Sequence, residues 1–292
     1  MIYIHFIINP ISGSGKHDIT TSYLLSQFPK EEYQIEIDYT KQKKHAIELA
    51  KAAVANNPHY IVACGGDGTI NEVASALIGS NIKLGIIPVG SGNGLASNLN
   101  IPRNFDKAVE IIKKGNTVSI DVGKINQYYF FSNMGIGIDA MIIKKYEHSG
   151  NRTLSSYIKA ALSSSFQFKP QYTVVSSDGK KHEVNPFMLF ISNSNEMGYN
   201  MSLTPKASLS DGVLDMVIIP ELTFLEKLLL GLNVLKNSIE KFKKAQHALV
   251  REVHIEMPHK IFIDAQIDGE FQNLKTNIIQ VSILPKSIEV LV

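Results

Sequence analysis

The first part of the chain alternates short apolar runs with segments of helical spacing. The apolar runs predict four strands, at Ile2–Ile8, Gln34–Asp38, Tyr60–Cys64 and Lys83–Ile87. The other segments predict four helices, at Thr20–Phe28, Lys44–Asn56, Thr69–Ile78 and Phe105–Lys114. Apolar strands that alternate with helices are typical of a parallel sheet with both faces covered. We therefore predict a Rossmann-like α/β domain over residues 1–122, with ligands at the carboxyl ends of its strands.

After residue 122 the pattern changes to strand-like runs that follow one another. The runs are Gln127–Ser132, Tyr172–Ser176, Phe187–Ser192, Val213–Ile219, His254–Glu256, Lys260–Asp264 and Ile278–Leu284. Asp178-Gly179 has the composition of a hairpin turn. This succession predicts an antiparallel, β-rich second domain over residues 123–285.

One helical stretch, Thr223–Ala248, interrupts the second domain. Its apolar face comprises Leu225, Leu228, Leu229, Leu232, Leu235 and Ile239, and its later part carries Lys236, Lys241, Lys243 and Lys244. A basic amphipathic helix can lie on a membrane surface. The interpretation that we favour from the sequence is a helix that packs on its own domain and keeps its lysines in water.

Composition and charge narrow the classes of protein. A chain of 292 residues, 44% of them apolar, is long enough for two domains with substantial cores. A formal net charge of +2 lacks the basic excess of nucleic-acid-binding proteins, so we expect no nucleic acid partner. The single cysteine, Cys64, excludes an internal disulfide, and no Cys/His cluster has zinc spacing.

The apolar start Met1–Ile8 has no basic flank and predicts a buried strand rather than a signal peptide. Uninterrupted apolar stretches of about 18 residues, which would predict a membrane span, are absent from the sequence. We therefore expect a soluble, cytoplasmic protein.

The strongest candidate for chemistry is the turn Gly65-Gly66-Asp67-Gly68-Thr69, followed by Ile70-Asn71-Glu72. It follows a predicted strand and opens a helix, where glycines let the backbone approach a phosphate and the helix end offers unpaired N–H groups. The Asp67 carboxylate would repel a phosphate unless a cation intervenes, so we expect a Mg²⁺ ion bridged through water. The alternative is a tight turn in which Asp67 caps the helix.

Two further glycine-rich loops follow strands. Pro88-Val89-Gly90-Ser91-Gly92-Asn93-Gly94 predicts a second wall of the phosphate site, with Ser91 and Asn93 as hydrogen-bond donors. Asn9-Pro10-Ile11-Ser12-Gly13-Ser14-Gly15-Lys16 lacks the spacing of a P-loop and is not one. Lys16 either neutralises phosphate charge or is a solvated loop lysine.

These motifs, with the later Asp268-Gly269-Glu270, resemble the diacylglycerol kinase and sphingosine kinase family, and most closely its compact bacterial lipid kinases. Chain length and motif order match over almost the whole sequence. The resemblance implies an ATP-binding α/β domain and a β-sandwich-like domain, with a last strand near residues 286–292 that returns to the first domain. It also implies a kinase that uses ATP and Mg²⁺ to phosphorylate a lipid hydroxyl.

The resemblance implies roles for individual residues. Nucleotide binding is implied for Asn9, Lys16, Thr40, Gly65, Gly66, Asp67, Gly68, Thr69, Ile70, Asn71, Ser91, Gly92, Asn93 and Arg152. Glu270, or Asp268 beside it, is the expected proton acceptor, and Asp67 acts with Mg²⁺. Without the family context, Asp268-Gly269-Glu270 would be a polar hairpin turn. Asp139 is expected near the substrate.

A structural ion is implied in the second domain. The segment Ser208 to Asp215 resembles the family's metal loop, in which Asp211 and the carbonyl groups of Ser208 and Val213 hold Mg²⁺. The alternative is an Asp-Gly turn before a strand. Asp121, at the domain junction, is expected to join Asp67 in ordering Mg²⁺ through water.

One departure from the family affects the substrate. Bacterial members often have Gly-Thr-Gly-Asn-Asp in the second glycine loop, whereas Gly90-Ser91-Gly92-Asn93-Gly94 is closer to the sphingosine and ceramide kinase form. Diacylglycerol and a long-chain base are both candidate acceptors, met at a membrane surface by a peripheral protein. The alternatives are a kinase of a soluble substrate, such as NAD or a sugar phosphate, and a sensor without catalysis. The sequence leaves a homodimer open.

Overall fold

The computed structural model describes residues 1–13, 19–90, 92–150, 153–197 and 201–292. The chain forms two compact units, the first of Met1–Ile120 with Lys286–Val292 and the second of Asp121–Pro285. Both boundaries between the units fall inside strands.

The first unit is a parallel sheet with helices in its connections. Its elements are β1 (Ile2–Ile8), α1 (Thr21–Gln27), β2 (Tyr33–Tyr39), α2 (His45–Ala55), β3 (Tyr60–Gly65), α3 (Asp67–Leu77), β4 (Lys83–Pro88), α4 (Gly94–Asn98), α5 (Phe105–Lys114) and the start of β5 (Thr117–Ile125). The parallel strands have the order β2-β1-β3-β4. Every residue of β3 is buried, as expected for a strand covered on both faces. The last strand of the chain returns here, where Val290 pairs in parallel with Leu84 of β4.

Local signals set the ends of several helices in this unit. Thr20 accepts a hydrogen bond from the Tyr23 amide at the start of α1, and Asn104 accepts one from the Lys107 amide at the start of α5. Helix α5 ends at Lys114, as predicted, and Gly115 after it has a φ of 69°, which favours glycine. By contrast, the N-cap residue of α3 is Gly66, which has no side chain to cap the helix.

The second unit is mostly antiparallel. Its elements are β6 (Tyr128–Phe130), β7 (Asn133–Gly137), α6 (Ile138–His148), α7 (Leu154–Gln167), β8 (Thr173–Ser177), β9 (Lys180–Val184), β10 (Pro186–Ser192), β11 (Leu214–Pro220), α8 (Phe224–Leu235), β12 (Gln246–Val250), β13 (Glu252–Glu256), β14 (Asp264–Ile267), β15 (Glu270–Asn273) and most of β16 (Ile278–Leu291). One sheet has the order β12-β11-β10-β7-β14-β15, and a second group has the order β16-β13-β8-β9. Side chains from both, such as Leu189, Ile255 and Ile279, form one buried cluster. Two antiparallel sheets that share a core make a β-sandwich-like unit, so the predicted fold class is confirmed.

The prediction of one helix over Thr223–Ala248 is wrong. The helix ends at Leu235, and Gln246–Val250 forms strand β12. Asn237 adopts a left-handed φ of 49°, which ends the helix. The helix packs on its own domain through Leu230 and keeps its later lysines exposed, as expected. The leucines of its predicted apolar face are nevertheless exposed, namely Leu225, Leu228, Leu229, Leu232 and Leu235.

Two further details of the second unit differ from the prediction. Lys260–Asp264 is not a strand, because the Lys260 amide donates to the Met257 carbonyl in a turn and β14 begins only at Asp264. The helices α6 and α7 are not predicted by the sequence pattern. Helix α7 is rich in serine, a weak helix former, and carries apolar side chains on its solvent side as well as its buried side. In the described part of the chain, no helix has the length and apolar character needed to cross a bilayer.

Candidate active site

The first glycine turn joins β3 to α3. An added Cβ at Gly65 would stand 2.6 Å from the Cβ of Thr69, so no larger residue fits there without a shift. Gly66 is the N-cap of α3 and has no side chain to accept the amides of the first helical turn. The start of α3 therefore presents backbone N–H groups and the positive end of the helix dipole, which suits a phosphate group.

The second glycine turn, after β4, packs directly on the first. A Cβ on Gly90 would stand 2.5 Å from the Cα of Gly66, and a Cβ on Gly92 would stand 2.6 Å from Oδ2 of Asp67. Asn93 has a left-handed φ of 58° and donates from Nδ2 to the Gly90 carbonyl at 2.6 Å. Gly90 and Gly92 are thus required for the contact between the two turns.

Asp67 ties the two turns together. Its Oδ2 accepts a hydrogen bond from the Asn93 amide at 2.8 Å, and its Oδ1 accepts one from the Gly94 amide at 2.7 Å. Burial raises the pKa of the Asp67 carboxyl, while these amides and the charge of Arg103 oppose the rise. Arg103 also donates to the Gly92 carbonyl at 2.9 Å. Asp67 therefore accepts hydrogen bonds from the backbone of the second turn.

The ends of β1 and β2 bring two further predicted residues to the same edge of the sheet. Asn9 follows β1, donates from Nδ2 to Oγ1 of Thr69 at 3.0 Å and accepts the Ile11 amide at 3.1 Å. Thr40 follows β2, and its amide donates to the Ile8 carbonyl at 2.9 Å. Because β1, β2 and β3 are parallel neighbours, these residues and the first glycine turn lie at one edge.

The other residues that the sequence predicts to bind nucleotide differ in their burial and in their hydrogen bonds. Gly68 is half-buried in the first turn of α3. Ile70 donates its amide to the Gly66 carbonyl at 3.0 Å and buries its side chain. Asn71 accepts from the Ser75 hydroxyl at 3.4 Å within the helix. Outside the described residues lie Lys16, Ser91 and Arg152.

Glu72 has a structural task that the sequence did not reveal. Its Oε1 accepts the Lys44 amide and its Oε2 accepts the Ala46 amide, both at 3.0 Å. These amides lie at the start of α2, where Lys44 has a left-handed φ of 66° and supplies no side-chain cap. A glutamate of α3 thus caps a neighbouring helix, across 28 positions of sequence in the case of Lys44.

In the second unit, Asp268 and Gly269 form the turn between β14 and β15. Their φ angles of 46° and 78° are those of a two-residue hairpin turn with both central residues left-handed. The Gly269 amide donates to Oε1 of Gln266 at 2.9 Å. Glu270 follows at the first position of β15, paired with Ile267 and half-buried.

Asp268 is buried against the segment that joins β6 to β7. Its Oδ2 accepts the Phe131 amide at 2.8 Å, and its Oδ1 accepts the amides of Ser132 at 2.8 Å and Asn133 at 3.0 Å. The Asp268 amide donates back to the Asn133 carbonyl at 2.9 Å. Three amide donors stabilise the ionised carboxylate, so Asp268 anchors the hairpin that carries Glu270.

Buried polar side chains adjoin this hairpin. Gln266 donates from Nε2 to Oδ1 of Asn133 at 2.8 Å and also forms a hydrogen bond with Asp139. Asp139, in the first turn of α6, is 1% exposed. Burial raises the pKa of its carboxyl to about 6, and the Gln266 hydrogen bond opposes the rise. The carboxylate expected near the substrate is therefore buried in this conformation.

The loop before β11 contains the residues of the predicted structural ion site. Oδ1 of Asp211 accepts the Val213 amide at 3.2 Å, and Oγ of Ser208 accepts the Ser210 amide at 3.3 Å. Burial, and then the charge of Asp211, raise the pKa of Asp215 to about 6. A cation beside these two carboxylates would relieve their repulsion, so the loop has the chemistry to fit one.

Asp121 belongs to the second unit and is fully buried. Its Oδ2 accepts the Gly212 amide at 2.7 Å, and its carbonyl accepts from Nδ2 of Asn193 at 2.7 Å. The described residues contain no group of three or more His, Cys, Asp or Glu side chains that could hold an ion. An ion held by a single carboxylate with backbone carbonyl groups stays a prediction.

A cavity of about 840 Å³ opens on the second unit. Its apolar lining includes Met141, Phe168, Met257 and Ile263, and its basic lining consists of Lys144, Lys145, His148, Lys169 and Lys260. Asp264 is the one acidic side chain among the described lining residues, and it pairs with Lys144 at 3.8 Å. The cavity is therefore amphiphilic, and its charged lining is predominantly positive.

Comparison with known proteins decides the family. Residues 3–125 match the family described as the diacylglycerol kinase catalytic domain, and residues 132–292 match the YegS C-terminal NAD kinase beta sandwich-like domain. The chain belongs to the diacylglycerol kinase and YegS-like lipid kinase family. The resemblance drawn from the glycine turns and Asp268-Gly269-Glu270 is thereby confirmed.

Individual relatives agree with this assignment. The chain is 30% identical over 254 residues to the "Probable lipid kinase YegS-like" of Yersinia enterocolitica serotype O:8, covering 85% of this chain and 82% of the relative. It is 26% identical over 283 residues to the diacylglycerol kinase of Bacillus subtilis strain 168, covering 93% of each. A crystal structure of a diacylglycerol kinase from Bacillus anthracis str. Sterne shares the fold, with a TM-score of 0.73 at 22% identity over 99% of this chain and 96% of that one. Membership of a kinase family implies a phosphotransferase with ATP as its phosphate donor.

Proposed function

We propose that the protein is a lipid kinase that transfers the γ-phosphate of ATP to a hydroxyl group of a membrane glycerolipid of the diacylglycerol class. The observation that carries this proposal is the start of α3 in a chain of the lipid kinase family. Its N-cap, Gly66, has no side chain, and Asp67 in its first turn holds the second glycine turn. Backbone amides at such a helix start hold phosphate groups without a side-chain charge.

Residues of the first unit would hold the nucleotide. The amides at the start of α3 would bind the phosphates, and Asn9 holds the Thr69 hydroxyl by a hydrogen bond in the first turn of that helix. Asp67 suits Mg²⁺ bound through water, because a carboxylate has about four lone-pair sites and the amides of Asn93, Gly94 and Asp67 itself occupy three of them. When bound, ATP supplies the phosphoryl group and Mg²⁺ neutralises its charge.

Glu270 is the proposed proton acceptor for the lipid hydroxyl. Asp268 is the weaker candidate, because three backbone amides occupy its buried carboxylate. Glu270 is partly exposed and stands at a fixed position, since the hairpin that carries it is anchored through Asp268 and Gln266. A positioned carboxylate that takes the hydroxyl proton helps the oxygen attack phosphorus.

The charge of the cavity supports a neutral glycerolipid over a long-chain base. A lipid tail needs apolar lining, which Met141, Phe168 and Met257 provide. A long-chain base carries a protonated amine, which the surrounding lysines would repel, whereas the carbonyl oxygens of a diacylglycerol accept hydrogen bonds from lysine. The buried Asp139 is not accessible to balance such an amine.

The acceptor is tested with labelled ATP, Mg²⁺ and mixed micelles of diacylglycerol, monoacylglycerol, sphingoid base and ceramide. We expect label in the glycerolipids, with a preference of about tenfold or more over the sphingoid base. The variant Lys260→Glu should reduce this preference, whereas Lys180→Glu, at an exposed lysine of β9, should not. Label mainly in the sphingoid base would contradict the glycerolipid assignment.

Two results would replace the lipid kinase proposal itself. Transfer only to a water-soluble alcohol such as NAD or a sugar phosphate would make the protein a kinase of a soluble substrate. Binding of ATP without transfer to any acceptor would make it a sensor that keeps the fold of the family.

A further inference from the structure

The outer sides of α7 and α8 carry apolar stripes that no described part of the chain covers. On α7 the stripe repeats every four residues, as Leu154, Ile158, Leu162 and Phe166, and Phe166 is 71% exposed. On α8 it comprises Leu225, Leu228, Leu229, Leu232 and Leu235, of which Leu225 is 69% exposed. Such spacings place each set on one side of its helix.

The two stripes form one surface. The rings of Phe166 and Phe224 lie 5.7 Å apart, which joins the end of α7 to the start of α8. Lys227 donates from Nζ to the Ser165 carbonyl at 2.7 Å and fixes the same junction. The inner sides of the helices already pack on the core, through Ala160 and Leu230. The outer stripes, called the α7–α8 face below, are therefore additional to what folding requires.

The charges around the α7–α8 face are mainly positive. Residues 223–248 contain five lysines and two glutamates. Both glutamates are neutralised locally, Glu226 by Lys244 at 2.7 Å and Glu240 by Lys206 at 2.9 Å. Exposed lysines that form no ion pair with any described residue are Lys236, Lys241 and Lys243 beyond α8 and Lys159 on α7.

We propose that the α7–α8 face docks the protein on the surface of an anionic lipid bilayer. Helices of 14 and 12 residues are too short to span a bilayer but can lie flat, with leucine and phenylalanine side chains among the acyl chains. The uncompensated lysines then face anionic headgroups, which attract them. The inference extends the proposed function, because a lipid kinase must meet its acceptor at a membrane.

A second copy of the chain fits this surface less well. In a two-fold symmetric interface the same face meets itself, so the lysines of each copy would lie against the lysines of the other. Both acidic side chains of residues 223–248 are already paired within the chain, which leaves none there to balance them. An anionic bilayer supplies the missing charge.

The test is co-sedimentation with vesicles of phosphatidylglycerol and phosphatidylcholine, without ATP or kinase substrate. The wild-type protein should sediment with these vesicles and much less with vesicles of phosphatidylcholine alone. The double variant Leu228→Gln/Leu232→Gln should bind about 100-fold more weakly, at about tenfold for each leucine. Leu25→Gln, at an exposed leucine of α1, should bind like the wild type. Thermal unfolding of each variant reports whether the fold is kept.

Kinase activity on a short-chain diacylglycerol dispersed as monomers separates docking from catalysis. The double variant should keep this activity while it loses activity on vesicle substrate. Undiminished vesicle binding by the double variant overturns the proposal. The proposal is also overturned if the wild-type protein does not bind vesicles and instead forms a dimer in solution, and if the double variant does not form this dimer. Vesicle binding that depends on the leucines, with no kinase activity on any lipid, would refute the proposed function and leave the docking surface standing.

Discussion

The carboxylate of Asp67 accepts a hydrogen bond from the backbone amide of Asn93 at 2.8 Å, and this contact joins the two glycine turns of the candidate nucleotide site. An aspartate of the proposed phosphate site thus also holds the backbone of the second glycine turn. Its replacement should affect stability and nucleotide binding together.

Asp67→Ala leaves the Asn93 and Gly94 amides without their acceptor. We expect the free energy of unfolding to fall by about 2 kcal/mol and the affinity for ATP to fall with it. Asp67→Asn keeps one oxygen for one amide and should be intermediate in stability. Urea denaturation and calorimetric titration with ATP measure the two effects. Unchanged stability in Asp67→Ala would show that the contact does not hold the turns together.

Gly90→Ala tests the contact between the turns from the other side. The new Cβ would stand 2.5 Å from the Cα of Gly66 and 2.7 Å from Oδ1 of Asn93, so one turn must move. We expect the dissociation constant for ATP to rise about tenfold or more. Gly231→Ala is the matched control, because nothing lies within 4 Å of its Cβ and alanine favours the helix α8. Equal ATP affinities in both variants would argue against the packed turns as the phosphate site.

Asp268→Asn tests the assignment of an anchoring role to Asp268. The change removes the charge that three amides stabilise and places an NH₂ group against at least one of them, so we expect a loss of about 2–3 kcal/mol in the free energy of unfolding. Asp178→Asn, at the matching position of the exposed turn between β8 and β9, is the control and should unfold like the wild type. Chemical denaturation measures both variants, and the assignment fails if Asp268→Asn is as stable as Asp178→Asn.

The buried Asp139 should make stability depend on pH. The pKa of its carboxyl is about 6 in the folded protein, whereas the ordinary pKa of a solvent-exposed aspartate is 3.8. Between these two pH values the folded chain keeps the Asp139 proton and the unfolded chain has lost it. The free energy of unfolding therefore falls by about 3 kcal/mol as the pH rises from about 4 through 6. Asp139→Asn should lack this loss. Unfolding free energies measured across the range should diverge with rising pH, and parallel curves for wild type and variant would rule out the raised pKa.

The sequence predicts the first unit well because its determinants are local. Strands such as β3 are covered on both faces, so every residue of Tyr60–Gly65 is buried and the apolar run marks the strand directly. The glycine turns follow such strands, and their high glycine content identifies them in the sequence. Their mutual contact through Gly66 and Gly90 was not foreseen, because it joins turns from two separate strand–helix connections.

The second unit is harder because its decisive contacts join distant parts of the chain. Asp268 and Phe131 are 137 positions apart, and no local pattern distinguishes an anchoring aspartate from a catalytic one. Helices α7 and α8 carry apolar residues on the outside, which breaks the alternation of buried and exposed positions that predicts packing. The leucine stripe of α8 was visible in the sequence, but its exposure required the structure.

The transfer of label from ATP to lipid by the wild-type protein and by Glu270→Gln tests the proposed reaction most directly. With diacylglycerol in mixed micelles, we predict labelled phosphatidic acid from the wild type and a rate lower by about 10³-fold from Glu270→Gln, which should still bind ATP. If Glu270→Gln transfers label at the wild-type rate, Glu270 is not the proton acceptor of the reaction. No labelled lipid from a wild-type protein that binds ATP would contradict the lipid kinase itself.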